Sequence, residues 1–490
     1  MLGTALAQLR HGFSLVAGRR PRVVDIEHVV AAIIATRKEF GDIGDLAAFR
    51  GASLTVQDRG PVDDRRLARL AQLAYQQTAY YRHHFDTAQI RPDSLSLASL
   101  QQLPITRKQV LRDLPEAFVN RSAQPWYRAE TTGTTAAPTT VWFSRYEADL
   151  LTAMTAISFL IDYQLGDDDI LQINLSSRAF FAIHCLVSAA ALIGAAAYSG
   201  GLTAPEVTLA RLATTSYLTG RQSRPTLLIT YSSYLGLLVQ AGETAGYSGD
   251  DFKLKRIMCG GEVLTDGLRR RAERLFGARV VETYAMTEIS PMNAQICEHG
   301  HLHFHPEQGV TEVLDLTGTR PAQPGELGVL TFTPAYPYRQ TTLLLRLFSE
   351  DVVRTLAAHA AHCQLAHLPA TSPILGKQQH LRQADGYTLT PRDVLEIIED
   401  DPAANLPSRW AITATPQGLQ LHVLGHDGDL ADRIHDRGRV RQLPIHRVVL
   451  HRELATMPPT SPVRADLREL SIAETIRQPP PDPDDERAGR

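Results

Sequence analysis

The sequence predicts an α/β protein with a large N-terminal domain of sheets and helices and a small, mobile α+β C-terminal domain. Between residues 140 and 260, apolar helical stretches alternate with short β-branched runs such as DILQINL and TLLIT. This alternation is typical of a parallel sheet covered by helices. Residues 301–350 instead predict strands joined by hairpin-like turns. Proline, serine and glycine cluster at 370–376, where we expect a domain boundary.

These patterns divide the chain into four segments. We expect an N-terminal extension over residues 1–60, the large domain over 61–374 and the small domain over 375–475. In the small domain, TPRDVLEIIED predicts a helix, and RWAITATP and GLQLHVLG predict strands. Residues 476–490 are rich in proline and charge, which predicts a disordered tail.

Composition indicates a soluble cytoplasmic protein. The 490 residues carry a net charge of -3, so no global attraction to nucleic acid or to an anionic membrane is expected. The four cysteines form no CxxC pair, which favours a reducing compartment. The most apolar stretch, AIHCLVSAAALIGAAAYSGG, contains His184 and glycines, so it predicts a buried helix followed by a strand. The sequence is compatible with an oligomer.

A Gly/Thr-rich loop at residues 129–140, AETTGTTAAPTT, is suited to binding a phosphate. Backbone N–H groups and hydroxyls in such a loop can close around phosphate oxygens. The alternative is an ordinary polar turn. The candidate binding residues are Thr131, Thr132, Gly133, Thr134 and Thr135.

Four further motifs follow this loop: CGGEVL at 259–264, ETYAMTEIS at 282–290, LLRLFSEDVV at 344–353 and LGKQQHLRQADGYTLTPRDVLEIIED at 375–400. In that order and spacing, the five motifs resemble those of the adenylate-forming superfamily, specifically the phenylacetate–coenzyme A ligase branch. The resemblance covers about residues 65 to 470. It implies the adenylate-forming enzyme fold, with acyl and nucleotide sites in the large domain and an active site between the two domains.

The resemblance also implies roles for nucleotide-binding residues. Thr287 would contact the α-phosphate, and Glu288 would hold magnesium against the phosphates. Asp351 would accept hydrogen bonds from ribose hydroxyls, a task suited to a carboxylate because it only accepts. Lys377 stands where the family has the arginine of its hinge motif, and it joins the candidate nucleotide or coenzyme A site.

An aromatic-acid pocket is implied as well. Cys259, next to the glycine turn, could carry a covalent acyl group, although a small buried residue is the alternative reading. Tyr284 would place its ring against the acyl group or the adenine. The implied pocket residues are Phe180, Phe181, Gly260, Gly261, Glu262, Tyr284 and Ala285.

The chain departs from the family at the two lysines that serve adenylation. The loop lysine is replaced by Ala137, and the C-terminal lysine falls on Val463 in MPPTSPVRADL. No lysine follows Lys377, so the nearest candidate catalytic cation is Arg464. Arginine keeps the charge but not the compact geometry of an ammonium.

These losses predict a transferase rather than a ligase. We expect an aromatic acyl group to pass from coenzyme A to the phosphopantetheine thiol of an acyl carrier protein. Its substrate would be an aromatic acyl-coenzyme A thioester. One alternative is an ATP- and Mg²⁺-dependent aryl-coenzyme A ligase, and another is a non-catalytic binding protein on a dead ligase fold.

A cluster of metal-binding residue types follows the YAMTE motif. Cys297, His301, His303 and His305 lie within nine residues, and alternate positions share one face of a strand. Thiolate and imidazole are zinc ligands. The sequence has no second cysteine pair, so ordinary strand residues are the preferred interpretation, with no metal expected.

Overall fold

The computed structural model describes residues 2–17, 19–41, 56–131, 138–357, 363 and 365–459. The helices are α1 (Leu2–Val16), α2 (Val23–Phe40), α3 (Val56–Gln77), α4 (Ala79–Ala88), α5 (Lys108–Asp113), α6 (Arg145–Ile161), α7 (Phe180–Ile193), α8 (Pro205–Ala213), α9 (Ser232–Ala245), α10 (Asp266–Phe276), α11 (Pro391–Glu399) and α12 (Leu430–Val440). The strands are β1 (Thr106–Arg107), β2 (Tyr127–Glu130), β3 (Thr140–Phe143), β4 (Ile170–Asn174), β5 (Ala196–Ser199), β6 (Leu227–Tyr231), β7 (Arg256–Gly260), β8 (Arg279–Ala285), β9 (Asn293–Ile296), β10 (Leu302–Phe304), β11 (Gly309–Asp315), β12 (Leu327–Pro334), β13 (Leu347–Arg354), β14 (Ala370–Thr371), β15 (Gly376–Lys377), β16 (Arg382–Ala384), β17 (Tyr387–Leu389), β18 (Trp410–Thr415), β19 (Gly418–Leu424) and β20 (Ile445–His451).

The largest sheet has the strand order β14-β10-β9-β8-β7-β6-β4-β5. Its section from β5 to β8 is parallel, and the remaining pairs are antiparallel. Alternate residues of β6 enter different cores: Ile229 packs with α6 and α7, whereas Leu228 packs with α8, α9 and α10. Helices therefore cover both faces of the sheet, which confirms the α/β prediction.

The apolar stretch around His184 forms α7 and then β5, as predicted. Gly194 ends the helix in a left-handed conformation with φ of 82°, where glycine has no Cβ penalty. Among the described residues, no helix combines the length and apolar character that crossing a membrane requires.

A second sheet is organised around β13, which is buried along most of its length. This strand pairs with β12 on one side and with β1 and the short β15 on the other. Of the strands predicted for residues 301–350, β11 pairs with β12 and β12 with β13 in this sheet, whereas β10 belongs to the largest sheet. Because β15 pairs with β13, Lys377 lies directly opposite Asp351 in the strand register.

The smaller C-terminal domain contains the hairpin β16–β17 and the sheet β18-β19-β20 with α11 and α12. Pro391 begins α11, and Thr390 and Asp393 form a capping box that satisfies backbone groups at its start. The helix and strands predicted there are confirmed. The exact boundary at residue 375 and the mobility of this domain remain predictions, and 476–490 lie outside the described residues.

The C-terminal domain packs on β8 and α10 of the large domain. Arg392 in α11 donates to the carbonyl of Leu264 at 2.9 Å and pairs with Glu282 of β8 at 3.2 Å. The first turn of α10 lies so close to α11 that a Cβ at Gly267 would overlap the carbonyl of Glu399. Glycine at this position therefore permits the close approach.

The N-terminal extension contains α1 and α2, and the second helix packs on α6 and α7. Val30 is buried in the core of the large sheet, so this described part of 1–60 is integrated with the large domain. The helical segment that begins at Val56 is interrupted at Thr78. This residue separates α3 from α4, and its hydroxyl accepts a hydrogen bond from the amide of Tyr81.

Candidate active site

A cavity of ≈ 790 Å³ opens at the carboxyl ends of the parallel strands β6, β7 and β8. Ligands of open α/β sheets characteristically bind at this edge, and the volume is in the range of small-molecule sites. Tyr231, Gly260 and Ala285 end the three strands and line the cavity.

The structure brings most candidate nucleotide-site residues to this cavity. Thr131, Thr287, Glu288 and Lys377 line it, and Asp351 is buried next to Lys377. The amide and hydroxyl of Thr131 pair with the backbone of Thr139 and hold the two ends of the loop together. The other loop candidates, Thr132, Gly133, Thr134 and Thr135, lie outside the described residues, as does Ala137.

Glu288 is paired with a lysine that no family motif marks. Lys108, the first residue of α5, places its Nζ 2.7 Å from Glu288 Oε1. The side chains are 12% and 2% exposed. Burial disfavours the charged form of both groups, but the attraction between the two opposite charges outweighs burial. The pKa of Glu288 is therefore lowered and the pKa of Lys108 is raised. Both groups are therefore charged, and the pair is neutral overall.

Asp351 lies in a second polar cluster. Lys377 Nζ is 2.8 Å from its Oδ1, and the Tyr284 hydroxyl donates to its Oδ2 at 3.0 Å. Burial, followed by the Asp351 carboxylate, raises the pKa of Tyr284 well above its usual value. Tyr284 is therefore a neutral hydrogen-bond donor, and Asp351 keeps acceptor capacity for a ligand hydroxyl.

Aromatic rings form another part of the cavity wall. Phe181 at the start of α7 stacks on Phe143 with a centroid distance of 3.9 Å and on Tyr127 at 5.5 Å. Phe181 and Tyr127 line the cavity, together with the apolar side chains of Leu151 and Met154. This wall is suited to a flat apolar group. Gly260, Gly261, Tyr284 and Ala285 line the cavity as implied.

Three candidates do not contribute to this cavity wall. Phe180 points to the surface, with 53% of the residue exposed. The Glu262 carboxylate accepts a hydrogen bond from the amide of Ser233 at 2.8 Å, in the first turn of α9. Cys259 is fully buried behind the strand end, and burial strongly raises the pKa of its thiol. This burial favours the alternative reading, a small buried core residue, because the reactive form of cysteine is the thiolate.

The metal-binding candidates are regrouped by the fold. His305 lines the cavity, and its Nδ1 lies 3.4 Å from Glu307. Cys297, His301 and His303 instead cluster with Cys363, from a distant part of the chain. The catalytic candidate Arg464 and the neighbouring Val463 lie outside the described residues.

Lys108 is the main site residue that motif reasoning does not find. It stands in LPITRKQVL, which precedes the loop at residues 129–140 and is not one of the five motifs. The one indication in the sequence is the small number of lysines. The chain has five, and two of them, Lys108 and Lys377, line the cavity.

Sequence comparisons identify the family of the chain. A family model described as AMP-binding enzyme matches residues 77–332, more than half of the chain. A phenylacetate–coenzyme A ligase of Thermus thermophilus is 24% identical over 349 residues, covering 69% of this chain and 74% of the relative. A phenylacetate–coenzyme A ligase of Escherichia coli is 25% identical over 320 residues, covering 62% and 69%.

Solved structures share the fold. A 2-hydroxyisobutyryl-CoA ligase in the postadenylation state, bound to an acyl-AMP, aligns with a TM-score of 0.68 at 17% identity. The alignment covers 86% of this chain and 93% of that structure. The chain therefore belongs to the AMP-binding enzyme family and is an acyl-CoA ligase-like protein.

Proposed function

We propose that the protein transfers an aromatic acyl group from coenzyme A to the phosphopantetheine thiol of an acyl carrier protein. The carrier thiol gives up its proton, and its sulfur forms a bond to the thioester carbonyl. The bond to the coenzyme A sulfur then breaks, and that thiolate takes up a proton. One thioester replaces another, so the step consumes no ATP.

The single observation that carries this proposal is the distribution of lysines. Neither the phosphate loop nor the chain beyond Lys377 contains one. Adenylation builds negative charge on phosphorus, and a preorganised donor there is typically worth about 3–4 kcal/mol. Lys108 and Lys377 line the cavity, but each is paired with a carboxylate. Transfer between thioesters does not need the missing cations.

The magnesium site of an ATP-dependent enzyme agrees poorly with this arrangement. Glu288 would be the metal ligand, yet Lys108 already neutralises it at 2.7 Å. A metal ion would have to displace a buried ammonium group from its only described carboxylate partner, which is unfavourable. We therefore derive no step through magnesium.

The remaining residues suit binding and positioning. Phe181 and Tyr127 would hold the aromatic ring, while Asp351 would accept from a ribose hydroxyl of coenzyme A. Lys377 and Tyr284 would keep the Asp351 carboxylate oriented through their contacts. Holding both thiols at one apolar site supplies the rate mainly through proximity and orientation.

Two parallel assays test the proposal. Purified protein is incubated with benzoyl-coenzyme A and a phosphopantetheinylated acyl carrier protein, and carrier acylation is followed by intact-protein mass spectrometry. ATP–pyrophosphate exchange with benzoate is measured on the same preparation. We expect acylation that resists chelators and exchange at background. Robust exchange without transfer would overturn the proposal, and binding without either activity would indicate a non-catalytic protein.

An ATP-dependent aryl-coenzyme A ligase is the second candidate. Retention of Thr287 and Glu288 in the cavity wall, with Asp351 beside the cavity-lining Lys377, favours it. The similar proteins from Thermus thermophilus and Escherichia coli also carry the name phenylacetate–coenzyme A ligase. In that case Arg464 would supply the cation. The variant Val463→Lys discriminates, because it should raise weak exchange in a defective ligase while Arg464→Ala should abolish it.

A further inference from the structure

We propose that Cys297, His301, His303 and Cys363 bind a structural zinc ion. Two thiol sulfurs and two imidazole nitrogens lie within 4.8 Å of one another. Tetrahedral zinc with sulfur and nitrogen ligands places these atoms about 3.2–3.8 Å apart, so small side-chain adjustments suffice. Soft sulfur donors with imidazole favour zinc over magnesium or calcium.

The turn between β9 and β10 presents two of the ligands. The amide of Cys297 donates to the carbonyl of His301 at 2.9 Å, and Gly300 adopts φ of 77° between them. The amide of His301 also donates to the Cys297 sulfur at 3.4 Å. An amide directed at sulfur stabilises the thiolate, which is the form that binds metal.

The other two ligands come from different parts of the chain. His303 in β10 is fully buried, and its Nε2 lies 3.2 Å from the sulfur of Cys363. Nδ1 of His301 is also buried, and no hydrogen-bond partner is found for it among the described residues. A buried polar nitrogen without a partner is costly, and a ring rotation that directs it to a metal would remove this cost.

Four protein ligands make the site closed, as in structural rather than catalytic zinc sites. It would also join two segments of the cavity wall. His305 follows the ligand His303 and lines the cavity, as do Leu365 and Leu368 after Cys363. Zinc would therefore fix the wall contributed by these segments without contacting the bound acyl group.

The first test is the metal content of the full-length protein. Wild type is reconstituted with zinc, desalted and measured by plasma mass spectrometry, and we expect close to one zinc ion per chain. Cys297→Ser and Cys363→Ser should each lose most of this zinc. The matched control in the same segment, His305→Gln, should retain it. A Cys297–Cys363 disulfide that persists in protein kept in mild reductant, or zinc retained by both serine variants, would overturn the assignment.

Cobalt replacement tests the ligand set without any substitution. Chelator-treated wild type titrated with Co²⁺ should develop intense visible absorption of a tetrahedral ion and a thiolate-to-cobalt charge-transfer band. Both should saturate at one equivalent, and the melting temperature should rise with them. Weak octahedral absorption, or no binding by folded apoprotein, would refute the site even if the cysteine variants fail to fold.

Discussion

The ammonium of Lys108 lies 2.7 Å from the carboxylate of Glu288 in the wall of the cavity. The fold brings these residues together by placing α5 beside the turn that follows β8. Each charge is almost fully withdrawn from water, and each is kept ionised by the other. The carboxylate that the family motif assigns to magnesium is thus half of a buried ion pair.

Replacing one partner of this ion pair should destabilise the protein more than replacing both partners. Lys108→Met leaves an uncompensated buried carboxylate, and such changes typically cost about 3–5 kcal/mol. Lys108→Met combined with Glu288→Gln should recover most of that loss in urea unfolding. Lys253→Met, at an exposed lysine, is the control and should change stability by less than about 0.5 kcal/mol. Equal stabilities of the single and double variants would argue against a buried charge pair.

Asp351 should determine binding of a ribose-containing ligand. Replacement with Asn removes the charge and one acceptor while preserving shape, so we expect roughly tenfold weaker binding, equivalent to about 1.4 kcal/mol. Thermal shifts induced by coenzyme A and by AMP should shrink accordingly. Asp385→Asn, in the exposed turn between β16 and β17, should leave both shifts unchanged. Shifts of wild-type size in Asp351→Asn would remove this residue from the site.

Sequence patterns anticipated the parallel sheet and the cavity residues at its strand ends. Gly260 and Tyr284 belong to short motifs whose order indicates a fold, so their meeting at one edge was predictable. The contacts of Lys108 and Cys363 were not predictable. Their partners are distant in the chain, and the local spacing of residues carries no information about such contacts. Phe180 and Phe181 show that adjacent residues can also be ambiguous. Two neighbouring apolar residues in a helix do not indicate which of the two rings is buried.

The N-terminal helices illustrate another limit. Residues 23–40 carry apolar side chains on several faces, so no single stripe indicates which side is buried. Because this helix packs against α6 and α7, only Val30 and a few neighbouring residues of the helix are buried. Tertiary context, rather than local propensity, determines this outcome.

Stability should depend on pH through Glu282 at the domain interface. Burial raises its pKa to about 7, although Arg392 opposes this shift. Between about pH 4.5 and 7, the folded state then holds a proton that the unfolded state has released, so stability falls as pH rises. Titration of this one carboxylate can lower the free energy of unfolding by at most about 3 kcal/mol over this pH range.

Urea unfolding from pH 5 to 7.5 measures this dependence. Glu282→Gln should flatten the decline, and the remaining slope should come from Glu396 and Glu399, whose pKa values burial also raises. Glu39→Gln, at an exposed acid of α2, should preserve the wild-type slope. A slope unchanged by Glu282→Gln would mean that this carboxylate titrates in its ordinary range.

Gly267→Ala should separate the two domains. The new methyl group would overlap the carbonyl oxygen of Glu399 at the end of α11, and neither backbone can yield without moving its helix. Alanine is otherwise favoured in a helix by about 0.5–1 kcal/mol, so α10 itself should not unfold. Small-angle X-ray scattering should report a larger radius of gyration for this variant than for wild type.

Gly438→Ala is the matched control, because the nearest atom to its Cβ is Ile397 Cδ1 at an ordinary 3.7 Å. Unchanged scattering for Gly267→Ala would mean that the close approach of α10 and α11 does not hold the domains together in solution.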